Sequence, residues 1–293
     1  MTRTRRIDFE VAGDRLVGAL RLPEGGGPFP AVVVAGPMTS VKEQVTGVYA
    51  RALAERGVAA LAIDHRGYGE SEGAPRQYEH AGRKIADVRA ALDALAAQPE
   101  IDAGRRGLVG VCLGAGYAAH AALDNPAVKA LGLIVGYYRD PAAMRASDPD
   151  GFDARVAQGR AARAHYEATG EIDTVPAVAL EGDAAMSTPE LFDYYGTPRA
   201  GVPNYVNAFA VMSREHFLPF DVQAAAPRIG APVMMVHSEN ALSPHLARKF
   251  HDALPGEKEI AWIDGPNQPA FYDDAALVAR AADLLAERLR AWL

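Results

Sequence analysis

Short, continuous apolar runs spaced by segments of helical period constrain this chain more than any other feature. Ala31 to Ala35 (AVVVA), Val58 to Asp64, Gly107 to Val111, Val128 to Val135, Val233 to His237 and Glu259 to Ile263 are each the length of one strand. Apolar residues at consecutive positions, many of them β-branched, suit a strand buried on both faces. Between the runs, Val45, Val48, Tyr49, Ala52 and Leu53 share one helical face and stop at Gly57, and Ile85, Val88, Leu92 and Leu95 share another. Ala115 to Leu123 and Pro244 to Leu254 continue the alternation, and Leu277, Ala281, Leu284, Leu285 and Leu289 line a final amphipathic helix. Repeated strand, helix, strand order predicts a doubly wound α/β fold around a mostly parallel sheet with helices on both faces. Ahead of it, Ile7, Phe9 and Val11 alternate with polar residues, Gly13-Asp14 turns, and Leu16 to Leu22 alternates again, which predicts an opening antiparallel hairpin.

The rhythm stops between Tyr137 and about Ala226, where a helix around Ala154 to Thr169 precedes an aromatic, proline-containing stretch. So long an interruption between strands predicts a cap or lid, residues 137–226, inserted into a core made of residues 1–136 and 227–293. The 293 residues, 49% hydrophobic and 23% charged, suffice for one large domain with such an insertion. The net charge of -7 gives no basic surplus for a phosphate backbone, so the expected partner is a small molecule and not nucleic acid. The N-terminal MTRTRRIDFEV alternates instead of entering a signal core, and every apolar run falls short of the roughly 20 residues that span a bilayer. The expectation is a soluble, cytoplasmic protein with no membrane partner; a homodimer is left open. With Cys112 as the single cysteine, no intrachain disulfide can form.

That cysteine lies in Gly110-Val111-Cys112-Leu113-Gly114, a G-x-nucleophile-x-G pattern joining an apolar strand to a helix. The glycines are required because the turn is tight and side chains there would strike the adjoining strand and helix. The turn would hold the sulfur above the sheet, and a position at a helix N-terminus predicts a lowered thiol pKa. Leu113 N–H and Met38 N–H, the latter in the Gly36-Pro37-Met38 loop, are the expected oxyanion-hole donors. The competing reading makes Cys112 a small apolar core residue.

With these residues in view, the chain resembles the α/β-hydrolase superfamily over nearly its whole length. The cysteine elbow is similar to that of dienelactone hydrolase. Together GPMTSVKEQ (36–44), DHRGYGESEG (64–73) and GVCLGAGYAAH (110–120) resemble a bacterial dienelactone-hydrolase-like branch. The resemblance implies an acid after a late strand and a histidine after the last one. After Glu259 to Ile263 the chain instead reads Asp264-Gly265-Pro266-Asn267-Gln268-Pro269-Ala270-Phe271-Tyr272-Asp273, with Gln268, or alternatively Asn267, in the histidine position. A carboxamide positions a water or carbonyl but does not carry a proton near neutral pH. Glu239 is the candidate acid by position, with Asp140 second. His216 in the cap, His237 and His80 are candidate replacement histidines, and His65 is expected to be structural.

Tyr137, His216 and Phe217 are candidate pocket residues. Of the cap aromatics Phe192, Tyr194, Tyr195, Tyr205, Phe209, Phe217 and Phe220, a few would line an apolar cavity and the rest would pack the cap onto the sheet. No metal or organic cofactor is implied, because ligand-spaced Cys/His clusters and phosphate-binding glycine loops are missing. A thiolate needs no base to become nucleophilic, whereas the acyl-enzyme it forms needs an activated water to be hydrolysed. The leading expectation is therefore an enzyme acting through Cys112 on an ester, lactone, thioester or polyketide-like acyl compound. Two alternatives are a non-hydrolytic cyclase, lyase or isomerase of a biosynthetic pathway, and a non-catalytic ligand-binding protein.

Overall fold

The computed structural model describes residues 2–293. Its main sheet has eight strands in the order β1-β2-β4-β3-β5-β6-β9-β10. These are β1 (Arg3–Val11), β2 (Asp14–Leu22), β3 (Phe29–Ala35), β4 (Ala59–Ile63), β5 (Ile101–Val111), β6 (Leu131–Ile134), β9 (Val233–His237) and β10 (Lys258–Trp262). A separate two-strand ladder pairs β7 (Thr174–Val175) with β8 (Phe209–Ala210). β1 and β2 form the expected antiparallel hairpin, β2 also runs antiparallel to β4, and every later pairing in the sheet is parallel. The doubly wound α/β architecture is thus present.

The continuous apolar strands follow from helices on both faces. Val33, Leu61 and Leu108 point into one core layer, with α2 (Ala81–Ala96), α3 (Gly114–Ala122) and α8 (Pro244–Ala253). Val32, Val34, Val109 and Ile134 point into the other, with α1 (Val45–Ala54) and the long C-terminal α10 (Ala275–Trp292). The central strands β3, β4 and β6 are covered from both sides, so their buried positions call for no polar residue. Helix ends are set locally: the Asp274 carboxylate accepts the Ala276 and Leu277 N–H groups at the start of α10, and Gly57 takes a positive φ of 85° after α1.

Between β6 and β9 the chain leaves the sheet and builds α4 (Pro141–Ser147), α5 (Pro149–Thr169), α6 (Pro189–Tyr195) and α7 (Arg214–Phe217). The expected helix at 154–169 begins earlier, because Asp148 caps it through the Gly151 N–H and Pro149 occupies its first turn. A short helix, α9 (Ala270–Asp273), follows β10 and precedes α10. No described helix is long and apolar enough to cross a membrane.

The turn after β5 needs both of its glycines. A Cβ on Gly110 would overlap the backbone of Gly114 and Ala115, and one on Gly114 would overlap the Ala35 carbonyl of β3. Gly114→Ala is therefore expected to cost about 1–3 kcal/mol through overpacking against backbone that cannot yield, read as a lower urea midpoint.

Candidate active site

The carboxyl ends of the parallel strands meet at one edge of the sheet, where α/β folds place their ligand crevice. Loops after β3, β5, β6, β9 and β10 contribute Met38, Cys112, Tyr137, Leu242 and Tyr272 to a cavity of about 410 Å³. Met186, Leu191, Tyr195, Phe209 and Phe217, all from the segment between β6 and β9, cover it.

Cys112 adopts a positive φ of 54°, rare for a non-glycine residue, and is 6% exposed. Backbone bonds hold it there: its N–H donates to Ile134 at 3.1 Å and its carbonyl accepts from Tyr137 at 2.9 Å. Around the sulfur lie the Tyr272 hydroxyl, the Leu113 N–H and the Gln268 carboxamide, each favouring the thiolate. Burial outweighs them and pushes the Cys112 pKa up. The expected lowering at the helix N-terminus is therefore corrected: desolvation of the sulfur dominates the dipole.

Gln268 is 3% exposed and fully engaged. Its Oε1 accepts the Leu242 N–H at 3.0 Å, and its Nε2 donates to the Val135 carbonyl at 2.7 Å and to the Tyr272 hydroxyl oxygen at 3.1 Å. Since the amide donates into that oxygen, the hydroxyl proton of Tyr272 is left to point at Sγ. The Gln268 carboxamide thus locks the phenol that contacts the sulfur. Tyr272 follows Gln268 by four residues, one helical turn, and the sequence reading gave it no role.

The loop after β3 is pinned from beneath. Thr39, with φ 60°, donates its N–H to Glu79 at 2.9 Å, and Lys42 donates its N–H to Asp64 at 2.7 Å. Glu79 is fully buried and also accepts from Lys84 Nζ, the Tyr68 hydroxyl and the Tyr117 hydroxyl. The adjacent cation holds its carboxyl below the ordinary range against the opposing effect of burial. Glu43, Asp64 and Glu70 come within ligand distance of one another, and Lys42 Nζ sits among them at salt-bridge distance from all three. Met38 N–H and Leu113 N–H donate to no protein oxygen among the described residues.

Several expected residues lie elsewhere. Glu239 is exposed and paired with Arg248, and it lines no part of the cavity, so the expectation of an acid there is corrected. Asp140 caps α4 and pairs with Lys249 at 2.6 Å. His216 is corrected as a pocket residue: it packs on His80 with ring centroids 4.3 Å apart, outside the cavity lining. His80 caps α2 through the Arg83 N–H, and burial together with His216 pushes its pKa down to about 4. His237 lies beneath Tyr138 and Trp262, and burial pushes its pKa down to about 4 as well. His65 is buried against Asp87. Asn267 accepts the Ala270 N–H at 3.0 Å. No histidine lines the cavity among the described residues.

Residues 2–139 match the family described as Esterase FrsA-like. The Escherichia coli K12 protein YcjY is 30% identical over 267 residues, an alignment covering 88% of this chain and 87% of YcjY. The chain belongs to the same family as YcjY. The crystal structure of PA2218 from Pseudomonas aeruginosa superposes with a TM-score of 0.85 at 28% identity, covering all of this chain and 94% of the other. The α/β hydrolase GrgF from Penicillium sp. sh18 shares the fold, with a TM-score of 0.81 at 20% identity over 98% of this chain and 99% of GrgF. The protein has the α/β-hydrolase fold, in keeping with the eight-strand sheet and the strand-to-helix turn at Cys112.

Removing the Tyr272 hydroxyl isolates its effect on the sulfur. Tyr272→Phe is expected to move alkylation of Cys112 to higher pH, because a donor to the thiolate is lost while the burial penalty stays. In the unaltered protein the rate is expected to rise with pH and to level off above the pKa of a free cysteine, and in the variant the plateau should lie at higher pH still. Iodoacetamide kinetics across alkaline pH check this, and superimposable profiles would refute it.

Proposed function

We propose that the protein is an acyl-transfer enzyme in which Cys112 attacks the carbonyl of an ester, lactone or thioester. The carrying observation is a sulfur on a strained elbow that lines a cavity, beside two N–H groups that donate to no protein oxygen and with no imidazole in the lining among the described residues. Attack forms a C–S bond and places negative charge on the carbonyl oxygen, for which Met38 N–H and Leu113 N–H are the donors. Collapse expels the alcohol or thiol with a proton and leaves an acyl thioester on Cys112. Donation from Tyr272, held by Gln268, favours the thiolate both as attacking and as leaving group.

The cavity offers poor means of activating water. Among the described residues its one carboxylate, Asp183, is tied to Arg214 at 2.5 Å, and Tyr272 is held far above its usual pKa by burial. An acyl group on Cys112 therefore passes more readily to a nucleophile that brings its own reactivity, such as an amine, a thiol or a group on the same acyl chain, than to water. This favours transfer or cyclisation over hydrolysis for the second half-reaction.

Product partition tests the reading. With an activated thioester, added amine or thiol acceptor is expected to raise total turnover and to appear in most of the product. Free acid formed at a rate that acceptors do not change would contradict it.

A further inference from the structure

Three arginines line the cavity against a single acid. Arg214 pairs with Asp183, and Arg155, half exposed, pairs with Asp148. Arg139, in the loop after β6, is different: it is 1% exposed and has no carboxylate partner within salt-bridge distance among the described residues.

Its guanidinium is held by weak neutralisers. Nη1 donates to the Phe217 carbonyl at 2.7 Å, Nη2 donates to the Leu218 carbonyl at 3.1 Å, and the Phe217 ring lies 3.9 Å from Cζ. Nε is buried without any acceptor, and the remaining contact of Nη2 is the Met144 sulfur at 3.6 Å. Nε–H and the adjacent Nη2–H form the side-on fork that matches a carboxylate with two parallel hydrogen bonds. Here one prong has no acceptor and the other has a thioether, a weak one. Met144 also lines the cavity. A buried, always-charged group without an anion costs stability, and a ligand that supplies the anion removes that cost.

The geometry points to a carboxylate-bearing acyl substrate, one carbonyl reacting at Cys112 and a distal carboxylate seated on the Nε/Nη2 edge of Arg139. This rests on the acyl-transfer reading above. It also adds to the expectation of an apolar cavity beneath the cap aromatics: the aromatic cover would contact the chain between two polar ends.

Two arms separate this proposal from the role of Cys112. In the first, binding to the Cys112→Ala protein is measured by calorimetry for a series of unreactive straight-chain dicarboxylic acid monoamides and their methyl-capped counterparts. The free carboxylate is expected to bind about 10- to 100-fold tighter than its ester at the best chain length. Adding Arg139→Met should abolish that difference, and Arg139→Lys should leave part of it, since lysine keeps the charge without the fork. No preference for the carboxylate at any length would overturn the proposal, as would a full preference surviving in a folded Arg139→Met protein. The first comparison keeps Arg139 in place, so it decides the matter even if that variant does not fold.

In the second arm, nitrophenyl half-esters of the same acids are offered to the unaltered protein and adducts are read by intact mass. Carboxylate preference in binding with no adduct at Cys112 would remove the nucleophile and leave the Arg139 site standing. Adducts formed equally fast from half-esters and capped diesters would do the reverse.

Discussion

Cys112→Ala is expected to lower acyl turnover by at least about 10³-fold, in line with removal of a covalent nucleophile elsewhere, while leaving the fold intact. Alanine meets the same backbone strain at φ 54° and removes only the buried sulfur, so the urea midpoint should change little. Cys112→Ser carries the sharper message. A serine hydroxyl needs an adjacent base to become nucleophilic, and no histidine among the described residues lines this cavity. Serine should therefore be almost as inactive as alanine, although it is the usual residue at such an elbow. Steady-state kinetics on one activated ester, run for all three proteins, check this. Serine activity within tenfold of cysteine would imply a base outside the cavity lining described above.

Lys84→Met has the largest effect expected on stability. Lys84 and Glu79 are both buried, with Nζ 2.7 Å from the carboxylate. Removing the cation alone strands a buried anion, expected to cost about 3–5 kcal/mol. The double variant Lys84→Met, Glu79→Leu removes both charges and should recover part of the loss, though the Thr39 N–H and the two tyrosine hydroxyls then lack their acceptor. Because Glu79 anchors Thr39, next to Met38, the single variant should also slow acylation at a urea concentration where it is still folded. Denaturation midpoints with unchanged slopes measure the first effect. A Lys84→Met protein as stable as the parent would show that the pair contributes nothing.

Much of the architecture was legible because burial on both sheet faces leaves a plain signature: Val32, Val33 and Val34 are consecutive, and each faces a helix layer. The elbow was legible because two glycines are forced by backbone contacts that no side chain survives. The surroundings of the sulfur were less so. Gln268 was singled out by its place in the chain, but its bonds to Val135 and Leu242 join segments remote in sequence. Tyr272 was given no role, since nothing in its spacing shows that its hydroxyl reaches Cys112. Arg139 stood a few residues past the strand read at Val128 to Val135, and an arginine in a loop carries no mark of burial. The thiol pKa was misjudged because position at a helix start can be read from sequence whereas desolvation cannot. Glu239 and His216 sat at plausible positions along the chain, yet ion pairing with Arg248 and stacking on His80 turn them elsewhere.

The central claim, that Cys112 carries the acyl group, is tested most directly by intact-protein mass spectrometry after brief exposure to an activated acyl thioester. A single acyl adduct is expected, mapping to the peptide containing Cys112, long-lived in buffer and discharged by added amine or thiol. Substrate consumed at the same rate by the Cys112→Ala protein, with no adduct on the unaltered one, would contradict it.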